Sequence, residues 1–133
     1  ISLWLKSGFE VVLISGRQAQ CVTIRAEELG ITHVVQGSKD KIKDLNSILS
    51  KIGATPEQTV FVGDDLGDIP IMKHVGYSIA VQNAVTEVKN IANWTTAHSG
   101  GEGAVRDAIE HLMKDNGTWD SSVSAMMHEP ANQ

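Results

Sequence analysis

The stretch that decides the fold is Val60-Phe61-Val62-Gly63-Asp64-Asp65-Leu66-Gly67-Asp68. Residues 59–62 are apolar or β-branched, which predicts a buried parallel strand that stops at Gly63. Three carboxylates follow the strand, and Asp68 comes one helical turn after Asp64, so it can return to the same side of the loop. Ligands of open α/β sheets bind outside the carboxyl ends of the strands. The stretch therefore predicts a ligand site at this sheet edge.

Two interpretations of the three acids, Asp64, Asp65 and Asp68, stay open on the local sequence alone. Grouped carboxylates repel one another unless a positive charge lies among them, and Mg²⁺ held by one or two carboxylates and a substrate phosphate would supply it. The alternative is an acidic helix N-terminus, where aspartate caps free N–H groups and favours the helix dipole.

The bulk composition limits the classes of function. The chain has 133 residues, 41% of them hydrophobic, and a net charge of −5, which suits one globular domain and argues against nucleic acid as a partner. No apolar run approaches the length of a membrane span and no signal peptide is visible, so we expect no membrane partner and a cytoplasmic location. The single cysteine, Cys21, is predicted to be a core residue of a helix and excludes an internal disulfide.

Predicted strands and helices alternate along the chain. Besides the central strand, strands are expected at Phe9–Ser15, His33–Val35, Tyr77–Val81 and Asn93–Thr95, and helices at Ile1–Ser7, Gln18–Leu29, Lys39–Lys51 with Ser38 as its cap, Ile69–His74, Ala84–Ile91 and Ala104–Lys114. Such alternation predicts an α/β, three-layer, Rossmann-like parallel sheet with helices on both faces. We expect one domain over residues 1–115 and a flexible tail over residues 116–133.

Successive strand ends bring further polar residues to the acidic edge. The first strand supplies Ser15 and Arg17, and the third helix supplies Lys41. A hydroxyl, a lysine and metal-binding carboxylates are the groups that phosphoryl transfer needs around a phosphate. Each residue alone has an ordinary explanation: a turn serine, a solvated helix lysine and a surface arginine. Their joint order along the chain favours the phosphate site.

Three segments carry a resemblance to a known family. Residues 12–17, 36–41 and 62–72 resemble motifs II, III and IV of the haloacid dehalogenase superfamily, and more narrowly its capless branch that contains 3-deoxy-D-manno-octulosonate 8-phosphate phosphatase. Residues 100–106 resemble the C-terminal Gly-Gly-Arg-Gly-Ala-Val-Arg signature of that branch, although Glu102 stands where the branch carries arginine.

The resemblance implies a role for each matching position. Ser15 and Lys41 would be catalytic, with Ser15 binding the transferring phosphate and Lys41 stabilising the phosphorylated intermediate. Asp64 would bind Mg²⁺ with Asp65 and Asp68 in support, and Gly16, Arg17 and Arg106 would contact the substrate. The implied reaction is hydrolysis of a phosphorylated sugar acid by a homotetramer in which a neighbour's segments, such as the tail after Asn116, close the site.

The family's nucleophile motif, Asp-x-Asp at the end of a first central strand, has no counterpart in the 133 residues. Asp40 and Asp44 lie on a predicted helix and are not credible substitutes. The chain also begins at Ile1 inside a predicted helix, so we expect a fragment. Without that strand, a gap would separate the strands at Val11 and Val60. We therefore expect the chain alone to be inactive and poorly stable.

Two other functions remain as alternatives. The first is a non-catalytic domain of the same fold that aids assembly, like those appended to acylneuraminate nucleotide-sugar synthetases. The retained Ser15, Lys41 and Asp64 argue against it. The second is a receiver-like or small-ligand-binding α/β domain in which the acids only cap a helix, and it leaves Lys41 and the glycine-rich segment unexplained.

Overall fold

The computed structural model describes residues 1–6, 8–16, 20–101 and 103–127. Helices and strands alternate through this part of the chain, as predicted. They are α1 Ser2–Lys6, β1 Val12–Ile14, α2 Gln20–Leu29, β2 His33–Val35, α3 Lys41–Ile52, β3 Val60–Gly63, α4 Ile69–His74, β4 Tyr77–Ala80, α5 Thr86–Ile91, β5 Trp94–Thr95, α6 Ala104–Asp115 and α7 Trp119–Met127. Short 3-10 helices at Pro56–Gln58 and Leu66–Asp68 lie on either side of β3.

The strands form two parallel sheets. In the first, β1 pairs with β2, and Leu13 lies opposite Val34. In the second, β4 lies between β3 and β5, and Ile79 lies opposite both Val62 and Trp94. Among the described residues no ladder joins β1 to β3. The gap predicted between the strands at Val11 and Val60 is therefore present.

Helices cover both faces of the second sheet. Successive side chains of a strand point to opposite faces. Tyr77 of β4 reaches His111 of α6 with its hydroxyl, whereas Ala80, three positions later, packs with Met72 of α4 and Val88 of α5. Because Tyr77 and Ala80 point in opposite directions, α6 lies on one face and α4 and α5 on the other. The predicted α/β arrangement of sheet and helices is confirmed.

A buried cluster connects the two sheets without a hydrogen-bonded ladder. Leu45 and Leu49 of α3 and Ile71 of α4 are its centre, and Ile14 of β1 and Phe61 of β3 both pack against it. The spacing of Ile42, Leu45, Ile48, Leu49 and Ile52 in the sequence predicts this apolar face of α3, since residues three and four apart meet on one side. Packing against α3 and α4 thus keeps the carboxyl ends of β1 and β3 on the same side of the molecule.

The start of α3 differs from the prediction. The helix begins at Lys41 rather than Lys39, and its cap is Asp40 rather than Ser38. Asp40 has an extended backbone and its carboxylate accepts a hydrogen bond from the N–H of Lys43 at 3.1 Å. Ser38 does not cap because its hydroxyl donates to Asp44 at 2.5 Å. Both residue types cap well, so local preference alone could not separate them.

Several further boundaries differ from expectation, among them the start of α5, which is Thr86 rather than Ala84. The ladder of β1 covers Val12–Ile14 only, not Phe9–Ser15, because its partner β2 offers three residues for pairing. Helix α7 occupies part of the segment expected as a flexible tail. It follows α6 closely: the N–H of Thr118 bonds to the carbonyl of Met113, and Lys114 Nζ lies 5.5 Å above the ring of Trp119. The domain boundary after residue 115 stays a prediction.

No helix in the described ranges is both long enough and apolar enough to cross a bilayer. The side chain of Cys21, predicted to be core, lies outside what the structure describes, as does Gln18 at the predicted start of α2.

Candidate functional site

The acidic loop turns sharply after β3 because its glycine packs against a helix. A β-carbon at Gly63 would lie 2.7 Å from the sulfur of Met72 and 3.1 Å from the β-carbon of Asp68. Only glycine fits there without a shift of its neighbours. The close packing sets Asp64 and Asp65 at the carboxyl end of β3, where both are exposed.

Asp68 is the buried centre of this loop. Its side chain is 6% exposed, and its Oδ1 accepts a hydrogen bond from Lys41 Nζ at 2.6 Å. Its other oxygen accepts from the N–H groups of Asp64 and Asp65, at 3.0 and 3.2 Å. One carboxylate therefore fixes both the loop backbone and the lysine that the third predicted motif supplies.

Asp64 and Asp68 differ in proton affinity because Lys41 donates a hydrogen bond to Asp68 and not to Asp64. Burial opposes ionisation of Asp68, but the bonds from Lys41 and from the two backbone N–H groups outweigh it, and its pKa is lowered. The pKa of Asp64 is raised by its partial burial, by a side-chain hydrogen bond with Asp68 and by the charges of Asp68 and Asp65, and the charge of Lys41 offsets only part of this. Of these two acids, Asp64 is thus the one whose ionised form the protein stabilises less.

The side chain of Asp65 accepts a hydrogen bond from the backbone of its own loop. Its carboxylate accepts from the N–H of Leu66 at 2.8 Å and caps the 3-10 helix Leu66–Asp68. The helix-cap interpretation is therefore correct for Asp65, and it leaves Asp64 as the acid without such a task in the bonds described.

A hard divalent cation fits the oxygen donors at this edge. Asp64 and Asp65 are exposed carboxylates at one strand end, and a bound cation would favour the ionised form of Asp64, whose pKa is raised by burial and by the neighbouring acids. No group of three His, Cys, Asp or Glu within the described ranges is arranged to hold a metal ion. The donors here therefore match an ion that takes one or two protein carboxylates and completes its shell with phosphate and water.

The end of β1 is bonded to the segment that leads into α3. Ser15 donates its N–H to the carbonyl of Val35 at 2.8 Å, and its own carbonyl accepts from the N–H of Ser38 at 2.9 Å. Gly16 follows closely, since a β-carbon there would lie 3.6 Å from the Ser38 carbonyl. The strand end with Ser15 and Gly16 thus lies beside the segment that supplies Lys41.

The remaining predicted site residues lie farther along the edge or outside the description. Arg106 is exposed on the first turn of α6. Arg17 and Glu102 lie outside the described residues. Sequence reasoning missed Asn83, whose side-chain oxygen accepts from the N–H of Gly100 at 2.8 Å, because a bond across 17 residues leaves no periodic signal.

The assembled edge can bind and polarise an anion. Lys41 offers a fixed ammonium group, Ser15 a hydroxyl, and the exposed Asp64 a ligand for a cation that would itself attract phosphate. Such groups stabilise charge on phosphoryl oxygens, which is most of what a protein does in phosphoryl transfer.

Comparison with curated proteins identifies phosphatases that are similar to this chain. The chain is 40% identical over 118 residues to 3-deoxy-D-manno-octulosonate 8-phosphate phosphatase from Escherichia coli strain K12, an alignment that covers 89% of this chain and 63% of that protein. The chain therefore spans somewhat less than two thirds of the length of the curated relatives it matches.

Solved structures of similar proteins share the fold. The phosphatase of the same name from Moraxella catarrhalis, in complex with a magnesium ion, a phosphate ion and a KDO molecule, superimposes with a TM-score of 0.89 at 31% identity, over 94% of this chain and 72% of that one. The cobalt-bound deoxy-D-mannose-octulosonate 8-phosphate phosphatase from Haemophilus influenzae gives 0.84 at 30% identity, over 88% and 68%.

The family itself is shown by the sequence. The model of the haloacid dehalogenase-like hydrolase family matches residues 13–109, which include most of β1, the Lys41 helix, the acidic loop and the first half of α6. With the parallel sheets and the acidic edge described above, this match assigns the chain: it belongs to the haloacid dehalogenase-like hydrolase family.

Proposed function

We propose that the protein containing this chain is a phosphatase that hydrolyses a phosphorylated sugar acid, 3-deoxy-D-manno-octulosonate 8-phosphate. The observation that carries the proposal is the contact of Lys41 Nζ with Asp68 at 2.6 Å, directly beside the exposed Asp64. It places a cation beside an exposed carboxylate at the strand edge where this fold binds ligands. The relatives of that name support the choice of substrate.

The residues of this chain would divide the work by their chemistry. Lys41 would neutralise charge on the transferring phosphoryl group, and the hydroxyl of Ser15 and the amide of Gly16 would donate to its oxygens. Asp68 would keep Lys41 in place rather than touch the substrate, because both of its oxygens already accept bonds. Arg106 would contact the carboxylate end of the sugar, and so would Arg17, which is not among the described residues.

Mg²⁺ is the cofactor we propose, with Asp64 as a ligand and Asp65 in support. When bound, it would neutralise phosphate charge beside Lys41. One solved relative contains magnesium and another contains cobalt, which supports a divalent ion as the cofactor here.

The nucleophile is proposed to lie outside these 133 residues, and the chain alone to be inactive. Covalent phosphoryl transfer in this family needs an aspartate at a free strand end. Within the described part, β1 and β3 do not pair with each other, which leaves room for a strand between them. Asp40 is committed to capping α3, and Asp44 accepts from Ser38, so neither is available.

A homotetramer in the cytoplasm is the assembly and location we propose for the full-length protein. The segment after Asn116, which includes α7, is a candidate for contact with a neighbouring subunit. Its exposed start beyond α6 supports that role.

The test uses the full-length protein and phosphate release from 3-deoxy-D-manno-octulosonate 8-phosphate with Mg²⁺. We expect Asp64→Asn to abolish release, because an amide replaces the anionic ligand. Glu57→Gln, an exposed change on the 3-10 helix that precedes β3, is the matched control and should keep normal turnover. Unchanged turnover in Asp64→Asn would contradict the metal assignment. A full-length protein without any turnover would favour the non-catalytic alternative.

A second variant tests the role of the lysine. Lys41→Ala should lower kcat by two or more orders of magnitude, while KM changes little, since the ammonium stabilises charge that develops in the transition state. A rise in KM with normal kcat would show instead that Lys41 only binds substrate.

A further inference from the structure

The segment between β5 and α6 begins with a turn that is held by hydrogen bonds of the Thr96 hydroxyl. Thr96 is buried, with 1% of its surface exposed, and its hydroxyl donates to the carbonyl of His98 at 2.5 Å. The same hydroxyl oxygen accepts from the N–H of Gln82 at 3.1 Å. His98 is therefore anchored through its backbone to the loop that follows β4.

The side chain of His98 is bonded to the first turns of α6. A single oxygen of Asp107, Oδ2, accepts from the His98 N–H at 2.8 Å and lies 2.8 Å from His98 Nδ1. The Asp107 side chain is 17% exposed, against 62% for His98. The bonds from the His98 side chain and backbone lower the pKa of Asp107, with a smaller contribution from the charge of Arg106.

This pair differs from an ordinary surface ion pair. In an ordinary exposed ion pair, solvent screens the Coulomb attraction, and ordering two long side chains costs conformational entropy, so the pair adds little stability. Here a short carboxylate on a helix receives both a main-chain and a side-chain donor from one residue, so the His98 backbone itself is held. The contact closes residues 98–107 into a loop whose two ends are joined.

The same loop is bonded back to the acidic edge. The N–H of Gly100 donates to Asn83, which lies after β4, at 2.8 Å. The N–H of Val85, two residues later, donates to the carbonyl of Asp64 at 3.0 Å. The loops that follow β3, β4 and β5 are thus connected by hydrogen bonds in sequence.

We infer that His98 and Asp107 form a clasp that holds residues 99–106 at the carboxyl edge and positions Arg106 toward the anionic end of the substrate. Both are positioning residues, since they act through the segment they close. Arg106 directly precedes Asp107 on α6 and is exposed. Holding Asp107 in place therefore also holds the backbone from which the Arg106 side chain extends. The clasp stands on its own geometry, and only the role of the segment rests on the proposed function.

The experiment measures hydrogen exchange and kinetics in the full-length protein. Asp107→Ala and His98→Ala each remove hydrogen bonds, and we expect amide exchange in residues 98–103 to rise about tenfold. His98→Asn keeps a donor near the position of Nδ1 and should stay close to wild type. Glu110→Gln removes another acid of α6, the exposed partner of Lys114, and is the matched control.

The kinetic readout separates positioning from general stability. Asp107→Ala should raise KM for the sugar-acid phosphate about fivefold to tenfold and leave kcat within about twofold. Unchanged exchange in both alanine variants would overturn the clasp. Faster exchange with an unchanged KM would overturn the positioning role. If the wild-type protein releases no phosphate, the proposed function fails, and exchange alone decides the clasp.

Discussion

Lys41 and Asp68 lie 27 residues apart in sequence, and their side chains meet at 2.6 Å. The contact joins the first residue of α3 to the loop after β3. The strands that precede these two elements, β2 and β3, lie in separate sheets in the described part of the chain. Because Asp68 also accepts from the backbone of Asp64 and Asp65, the position of the lysine and the shape of the acidic loop depend on one carboxylate.

The first prediction concerns the stability of this contact. In the full-length protein, Lys41→Met should lower the free energy of unfolding by about 2–3 kcal/mol, because it leaves the buried Asp68 carboxylate without its cation. Urea denaturation measures the change. Lys39→Met, at an exposed position two residues earlier, is the control and should stay within about 0.5 kcal/mol. Equal losses in the two variants would show that the contact adds no stability.

The second prediction concerns Gly76, where the neighbouring backbone leaves no room for a side chain. A β-carbon at Gly76 would collide with the carbonyl oxygen of Glu57 and lie 2.8 Å from its carbonyl carbon. Backbone cannot move aside as a side-chain tip can, and the Gly76 N–H is also bonded to Pro56. Gly76→Ala should therefore cost about 2–3 kcal/mol in the free energy of unfolding.

Gly67→Ala is the matched control for that change. Nothing lies within 4 Å of a β-carbon at Gly67, so its substitution should be neutral or slightly stabilising in the same denaturation assay. A Gly76→Ala protein as stable as Gly67→Ala would mean that the backbone at Glu57 can move away from the added β-carbon at little cost in free energy.

Local patterns in the sequence predicted the elements well. The apolar spacing of α3 identified the residues that are buried, and an apolar run ended by Gly63 located β3 and the acidic loop. These features succeed because their causes, helix period and strand burial, act within a few residues. Helix α4 at Ile69–His74 and strand β2 at His33–Val35 agree with the sequence to the residue.

Long-range pairing was beyond the same patterns. The resemblance implies that Asp68 supports a metal, and no local pattern indicates that Lys41, from another element, donates a hydrogen bond to it. The clasp of His98 and Asp107 and the bond from Gly100 to Asn83 likewise join residues of different structural elements. Such contacts depend on how the elements pack, which a single sequence does not reveal. The metal and substrate roles stay predictions.

The third prediction tests the corrected helix start. Asp40→Ala should lower the free energy of unfolding by about 1 kcal/mol, since the N–H of Lys43 loses its acceptor. Asp40→Asn keeps a side-chain oxygen and should recover most of that stability. Thermal or urea unfolding provides the measurement. An Asp40→Ala protein as stable as wild type would return the capping role to Ser38.

The fourth prediction rests on Tyr77, whose hydroxyl lies 3.1 Å from His111 Nε2 beneath α6. Trp94 stacks on the same imidazole, with ring centroids 3.9 Å apart and planes 2° from parallel. Burial, and then the charge of Asp115, raises the pKa of Tyr77 above its ordinary value. The folded protein therefore keeps the phenol proton at a pH where the unfolded chain has lost it.

The sign of the effect on stability follows from proton binding. Above the unfolded pKa, near 10, the unfolded state holds fewer protons than the folded state, so the free energy of unfolding should fall as the pH rises through that value. Tyrosinate absorbance measures the folded pKa, and Tyr77 is the only tyrosine in the 133 residues. In a longer protein, the difference from Tyr77→Phe isolates its signal.

Asp115→Asn provides the control for the cause of the shift. Removing that charge should bring the titration midpoint of Tyr77 partly back toward 10, while burial keeps it above that value. Tyr77→Phe should remove the corresponding part of the pH dependence of unfolding. A native midpoint at or below 10 would mean that water reaches the phenol, and that α6 does not cover this face of the sheet as the stacked Trp94 and His111 indicate.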